Sequence, residues 1–379
     1  MTSTINTIRS TDLGSLVAVL RDQQARKHDV VVSAKALRAT VIGGVLTVGI
    51  PEPEAITLEG VGANHPATIS TLALGQLAEK TGIPSAYLRT MAETPDHREL
   101  AADNLNHWFD RDERSFLLRS FLGDDGSYAY LRSVLSNGYG RTDHLDAIMA
   151  ALEGLRAAGV RPSITKCDLT ERNLYVRFEA PEIAIAVADL VEDYKHLGRT
   201  GMDYPMLSAG LVLANSETGG GAFVVSPRPV FQVCSNGMTR ESDGFRRIHV
   251  GSKMEDGIVW SEDTVTKEVE LITAKTRDVV KAVMSREYLA KFADDLRAFK
   301  GLKVTEPIKV VQTLSKNLKW TVEQTDALLA AFIGGGDLSV LGLGQAVTSL
   351  AQGALDGDAQ HEAETGAFNV MAMAARIAG

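Results

Sequence analysis

Apolar residues recur at three- and four-residue spacing at Leu13, Leu16, Val17 and Leu20, which predicts a short amphipathic helix over residues 10–26 behind a Ser10-Thr11 cap. The pattern then changes to β-branched runs at 30–32 and 41–48, the second broken by Gly43-Gly44, and these predict a small hairpin. Residues 70–91 return to helical spacing, with Gly82 ending one helix and Pro84 opening the next. Strands are expected at 114–121 and 128–135, a helix at 142–158, and a hairpin of 163–167 with 173–179 around a turn at 168–172. Residues 209–215 and 222–225 read as apolar strands joined across Ser216-Glu217-Thr218-Gly219-Gly220-Gly221, and 229–234 continues the sheet up to a Ser235-Asn236-Gly237 turn. From Thr264 onward the spacing of Val265, Val269, Ile272, Val279, Val283, Phe292, Leu296 and Phe299 marks one or two long helices ending at Gly301. Further helices are expected over 321–332 and 341–352, around a loop at Gly334-Gly335-Gly336.

This order of elements predicts an α+β protein, with a central, mostly antiparallel sheet, flanking helices and a helical C-terminal region. Three segments are expected: an N-terminal helix with a small β segment at 1–68, an α+β core at 69–262 and a helical region at 263–379. Apolar residues at 45% and charged residues at 23% suit a globular chain with a sizeable core. No run reaches the roughly 18 apolar residues of a membrane span and no signal peptide opens the chain, so the expected location is the cytoplasm, away from membranes. The two cysteines, Cys167 and Cys234, lack the spacing of a disulfide framework or a zinc site and are expected as reduced core residues.

The net charge of −9 argues against a uniformly basic, duplex-coating surface and leaves a local basic groove as the remaining route to nucleic acid. Between 226 and 253, Arg228, Arg240, Arg246, Arg247 and Lys253 outnumber Glu241 and Asp243, and Phe231 and Phe245 add aromatic faces. Cations and rings together are what a single strand needs for backbone attraction and base stacking, although cations covering a sheet edge around core phenylalanines give the same pattern. In the stretch LALGQLAEKTGIPSAYLRTM, residues 72–91, Ala78, Gly82 and Leu88 have the spacing of a helix-turn-helix that would present Ser85, Tyr87 and Arg89; a packed helical hairpin needs the same three residues. Gly219-Gly220-Gly221 allow either close approach of a ligand or a plain turn. No phosphate loop, HExxH or GxSxG motif is present, and no cofactor or metal is expected.

Three stretches together resemble one family. YLRSVLSNGYGRTDHLDAIMAAL at 130–152 is similar to its segment of an Arg and a Ser ahead of a Tyr, an Arg and a helix. NSETGGGAFVVSPRPVFQVCSNGM at 215–238 resembles its Asn-Ser-Glu-x-Gly signature and Cys-x-Asn-Gly turn, and Arg247 with His249-Val250-Gly251 matches a following His-x-Gly. The family is the phage- and plasmid-like proteins called domain of unknown function 932, and the likeness runs from about Ile69 to the C-terminal helices. It implies a mobile-element setting in a bacterial host and no particular activity. Three functions follow as expectations. The first is non-enzymatic binding, with annealing as a further step, of single-stranded nucleic acid in replication or recombination, through the basic and aromatic residues above. The second is an enzyme with acid–base chemistry at Glu217 and His249 beside Asn215 and Arg247. The third is a structural assembly protein forming homo-oligomers.

Overall fold

The computed structural model describes residues 7–51, 64–123, 129–140, 142–247, 262–354 and 356–378. Strand β1 (Ile8–Thr11) leads into α1 (Leu13–Arg26), capped by Asp12, whose carboxylate accepts from the Ser15 amide. Thr11 is still paired with Cys167 in a sheet, which is why the cap falls after the Ser10-Thr11 pair. There follow β2 (Lys27–Ser33), β3 (Arg38–Ile42), β4 (Val45–Pro51), β5 (Asn64–Ile69), α2 (Thr71–Thr81), α3 (Ser85–Glu93), α4 (Arg98–Phe109), β6 (Ser115–Leu122) and β7 (Ala129–Ser136). These strands form a six-stranded sheet in the order β2-β6-β7-β5-β4-β3, antiparallel except where β5 meets β7. One face of it packs on α2, α3 and α4 through Val30, Val32, Leu77, Leu88, Leu105, Phe116 and Leu118.

The remaining chain, with β1 and α1, builds a second unit. It runs α5 (His144–Ala157), β8 (Ser163–Leu169), β9 (Leu174–Ala186), α6 (Ala188–Val191), β10 (Lys195–His196), β11 (Arg199–Thr200), β12 (Met206–Asn215), β13 (Phe223–Pro227), β14 (Val230–Phe231), β15 (Asn236–Gly237) and β16 (Phe245–Arg247). Six helices close it: α7 (Glu262–Val283), α8 (Arg286–Lys300), α9 (Pro307–Leu318), α10 (Val322–Gly335), α11 (Val340–Gln352) and α12 (Gly357–Ala378). The larger sheet, β1-β8-β9-β12-β13-β16 with β14 and β15 attached, is antiparallel throughout. Its core joins α1, α5 and the C-terminal helices in one cluster that includes Leu16, Ile148, Phe178, Leu211, Phe292 and Leu343.

The α+β class, the mostly antiparallel pairing and the helical C-terminal region match the sequence pattern. Beside the larger antiparallel sheet the structure adds a six-stranded sheet with its own core, and β10 and β11 pair as a separate two-stranded ribbon. A boundary at 68/69 falls inside β5 and would part β2 from β6 as well as β5 from β7, and one at 262/263 would separate β12 from the helices that share its core. The smaller core instead runs from Val30 to Val134, and the larger one takes Leu16 and Leu20 of α1 together with residues from Ala147 onward. The glycine loop at 334–336 is also shorter than expected: α10 continues through Gly335, and only Gly336 turns left-handed to end it.

Candidate functional site

Alternation along the first sheet turns Val30 and Val32 of β2, and Phe116 and Leu118 of β6, towards α2–α4. Asp29 and Arg119, each one position out of step, therefore face the opposite way, towards the second unit, as a cross-strand pair. Arg119 is fully buried. Its Nε lies 3.1 and 3.2 Å from the two Asp29 oxygens, its Nη2 donates to Asp143 at 2.6 Å, and its Nη1 donates to the Glu217 carbonyl at 2.9 Å. Asp143, just ahead of α5, is also paired with Lys27. Glu217, in the turn after β12, accepts from Arg132 of β7 at 2.8 Å and from the His144 backbone amide at 2.6 Å. Lys27, Arg119 and Arg132 thus meet Asp29, Asp143 and Glu217, three cations and three carboxylates in one buried set. Arg132 also lies 4.2 Å over the Phe121 ring.

The neighbouring backbone follows the same arrangement. Asn215 Nδ2 donates to the Thr142 carbonyl at 3.0 Å and lies 3.0 Å from His144 Nδ1, so the ring nitrogen facing it acts as acceptor. The Tyr139 hydroxyl donates to the Ser216 carbonyl at 3.1 Å, and Gln76 of α2 donates to the Thr218 carbonyl at 2.7 Å. Gly219 has φ +82°, and a Cβ there would come within 2.7 Å of Leu135; one at Gly220 would come within 2.9 Å of Arg172. The close approach these glycines permit is to the chain itself, which is the turn reading rather than the ligand reading.

Burial opposes the charge on Glu217, but the His144, Arg132 and Arg119 groups around it hold the carboxyl well below its usual range. Burial also works against Arg119, yet Glu217, Asp29 and Asp143 keep it firmly protonated. Burial lowers His144 to about 4, so at neutral pH its ring is uncharged. The void beside Gln23, Lys27, Arg132 and Glu217 measures about 10 Å3, room for one water and not for a substrate.

A second buried set anchors α12 to the larger sheet. Arg228 grips Glu364 with two bonds, at 2.8 and 3.0 Å, and Arg177 of β9 reaches Asp168 at 2.5 Å and Glu364 at 3.3 Å. Arg9 adds a bond to Asp168 at 2.8 Å. Burial opposes ionisation of Glu364, but Arg228 and Arg177 outweigh it and bring the carboxyl down to about 2. Gly237 leaves room for this crossing, since a Cβ there would lie 2.3 Å from the Arg228 guanidinium carbon.

Among the described residues, those expected to grip nucleic acid do not form one trough. Arg228 and Phe231 are interior, so neither phosphate nor base reaches them. Arg240 is half-buried, paired with Asp295 at 2.6 Å, and lies over Phe292 and Phe368. Phe245 packs edge-on against Phe223, and on its strand Arg246 is exposed while Arg247 is half-buried. Lys253, His249 and Arg141 lie outside the described residues. The acid–base pairing of Glu217 with His249 falls on a residue outside the described ones; among the described residues the histidine beside this carboxylate is His144, and Asn215 donates to the Thr142 carbonyl and faces His144. The helix-turn-helix spacing is matched by α2 and α3, with Ala78 and Leu88 buried, Gly82 at φ +75°, and Ser85, Tyr87 and Arg89 exposed.

Asp29, Arg119, Arg132, Asp143, His144, Arg177 and Glu364 were not among the expected site residues. The signal that marks the arginines is a lone charge inside an apolar strand: FLLRSFL for Arg119, YLRSVL for Arg132 and LYVRF for Arg177. Such a residue has to carry its partner inside with it. Cys167 and Cys234 are free and buried, with thiols pushed up to about 11 and about 12 by burial. Among the described residues no group of three side chains could hold a metal ion, and no helix is long and apolar enough to cross a membrane. Fold and site define an α+β protein whose two large sheets are joined by a buried ion network. Comparison with family models, curated proteins and solved structures gives no match.

Replacing Glu217 by Gln keeps the shape and removes the charge that Arg132 and Arg119 face. The expected cost is about 3 kcal/mol of unfolding free energy, read from urea denaturation at neutral pH; a loss within error of zero contradicts the network's role. A pH dependence follows as well. His144 takes up a proton at about 6.5 when unfolded and at about 4 when folded, so the unfolded chain binds more protons in that window and stability falls as pH drops through it. This group alone accounts for about 3 kcal/mol between the two values. Glu364, lowered from 4.5 to about 2, extends the decline below pH 4.5. Denaturation midpoints measured from pH 8 to pH 4 should therefore fall continuously below about pH 6.5, and a flat profile down to pH 4.5 is the opposing result.

Proposed function

We propose that this protein is a non-enzymatic assembly protein that works by associating with further copies of itself. The observation that carries this reading is the hairpin of β10 and β11. Its two-residue turn, Leu197-Gly198, has φ of +46° and +79°, and the Leu197 side chain at its tip is 90% exposed. Leucine is an unfavourable residue in that left-handed conformation, and burying it recovers about 2 kcal/mol of apolar transfer energy. Met202, 57% exposed, and Tyr204 flank it, and Ile333 of the adjoining α10 is 53% exposed.

The surroundings favour a second copy over a partner of one charge. Lys195, Arg199 and Lys303 are exposed on this face, and so are Glu192, Asp193 and Asp203. A rim with both signs in equal number around an apolar centre is complementary to itself under a two-fold rotation, where each cation meets an acid of the neighbour. The resemblance of the chain's motifs to phage- and plasmid-like proteins supports placing this assembly in the cytoplasm of a bacterial host of mobile elements.

Sedimentation velocity and light scattering of the full chain across micromolar concentrations provide the test. A mass above the 40.7 kDa monomer is expected, reduced to the monomer by Leu197→Asp with Ile333→Asp. The affinity loss should be at least about tenfold, since two apolar contacts are replaced by buried charges. A monomer throughout overturns the reading, and an oligomer indifferent to these substitutions overturns the face assigned to it.

One observation favours a second reading, binding of single-stranded nucleic acid. On β16, at the end of the larger sheet among the described residues, the Phe245 ring carries exposed Lys275 of α7 at 5.1 Å, and exposed Arg246 points to the opposite face of the strand. A cation over an aromatic ring on one face and a second cation on the other suit a phosphate backbone that wraps the strand with one base stacked, although Glu241 offsets part of the field of Arg246. Fluorescence anisotropy with a labelled oligonucleotide should then show binding that weakens with salt and is lost in Arg246→Ala/Lys275→Ala. Binding that ignores both changes, or no binding at low salt, removes this reading.

A further inference from the structure

α5 ends beside the start of β8, and the connection leaves a cavity of about 310 Å3 between them. Gly159, at φ +76°, turns the chain out of the helix, and the Val160 amide closes it by donating to the Leu155 carbonyl at 3.2 Å. Leu155 and Phe178 form the buried floor, with Leu152 and Ile164 as half-buried walls. Ile164 and Phe178 are direct partners across β8 and β9, so the floor rests on sheet and not on a loop. The volume is at the lower end for small-molecule sites, and the lining is apolar in the manner of such sites.

Its polar groups are of one kind. Arg156 and Arg161 line the cavity, and no carboxylate does. The Arg156 side chain is 84% exposed, and its nearest acid, Glu153, lies 3.6 Å away, beyond a hydrogen bond. Arg161 is exposed and makes no ion pair among the described residues. This contrasts with Arg119, Arg132, Arg177 and Arg228, each of which is bonded to a carboxylate. The end of α5 adds a partial negative charge of about half a unit, which the two guanidinium groups outweigh.

We propose that this cavity binds a small amphipathic anion, with a short alkyl tail on the Leu155–Phe178 floor and its acid group between Arg156 and Arg161. The site is independent of the self-association face, since it is built by α5, β8 and β9 and uses none of the residues around Leu197. Carboxylate and phosphate monoesters share the required chemistry, because guanidinium presents paired donors to either head group.

Isothermal titration calorimetry on the full chain tests this with octanoate and octyl phosphate, against octanol, octylammonium and acetate. Octanoate or octyl phosphate should bind at least about tenfold tighter than octanol and octylammonium, from the charge, and tighter than acetate, from the tail. The stronger of the two names the head group. In Arg156→Ala/Arg161→Ala, affinity for the anion should fall about tenfold or more towards that of octanol, with the denaturation midpoint unchanged because both side chains lie at the surface. Ile164→Trp, which fills the cavity, should abolish binding of every alkyl probe. The proposal is overturned if no anionic probe binds at millimolar concentration, if octanol and octylammonium bind as well as octanoate, or if the double substitution leaves affinity unchanged.

Discussion

The contact between Arg119 and Glu217 is what the rest of the structure depends on. Arg119 sits on the first sheet, and Glu217 on the turn that ends β12 of the second; the arginine takes the carbonyl of this residue while Arg132 takes its carboxylate. Taking six charges out of water is costly, and a well-packed apolar interface of the same size would give equal or greater stability. What the network adds is a penalty on every other orientation. Each charge here has one geometry in which its partners lie within hydrogen-bond distance, so rotation or sliding of one sheet on the other leaves a buried ion unpaired. That penalty is steep, and it fixes the two cores relative to each other more sharply than contact area does.

This places most of the recognisable motif residues in the interior. Asn215, Ser216, Glu217 and the following glycines were candidates for a ligand or an acid–base site, and Cys234-x-Asn236-Gly237 was a turn. Both serve as joints: the first brings the larger sheet against Arg119, Arg132 and α5, and the second clears the path of Arg228 to Glu364. The same fact accounts for the loss of the expected basic trough. Arg228 is bonded to Glu364 and Arg240 to Asp295, so two of the cations counted in 226–253 are neutralised by acids far away in sequence. Local charge counts predict a surface only when the partners are local too.

What was legible in the chain follows the same division. Helices α1, α2, α3, α5, α7, α8, α10 and α11 and the main strands have strong periodicity, clear turn glycines or good caps, and they lie where the pattern puts them to within a few residues. Of the helices not expected, α9 does have a legible stripe, Val310, Val311 and Leu314 behind Pro307, whereas α4 and α12 have cores the pattern does not advertise. α4 buries Ala101 and Ala102 and leaves Leu100 exposed, so its apolar stripe is blurred. α12 buries Gln360 and Glu364, which look like surface residues until Arg228 and Arg177 are placed beside them. The division into two sheets was hidden because β5 is adjacent to β7 in space, with three helices and a strand between them in sequence. Pairing across such a distance leaves no local trace.

Because the interior charges are spent on each other, the groups left to act on anything outside are those whose partners are missing or weak. Arg156 and Arg161 stand at the mouth of an apolar cavity with no carboxylate among its lining, and Leu197 is held out at the tip of a hairpin whose conformation does not suit it. Both belong to the second unit, while the exposed face of α3 belongs to the first. The ion network between the units is therefore also what sets the distance and angle between these surfaces. A substitution inside it that left both units folded would change how the surfaces are presented without touching either one, so a loss of association or binding in such a variant is a matter of geometry rather than of contact.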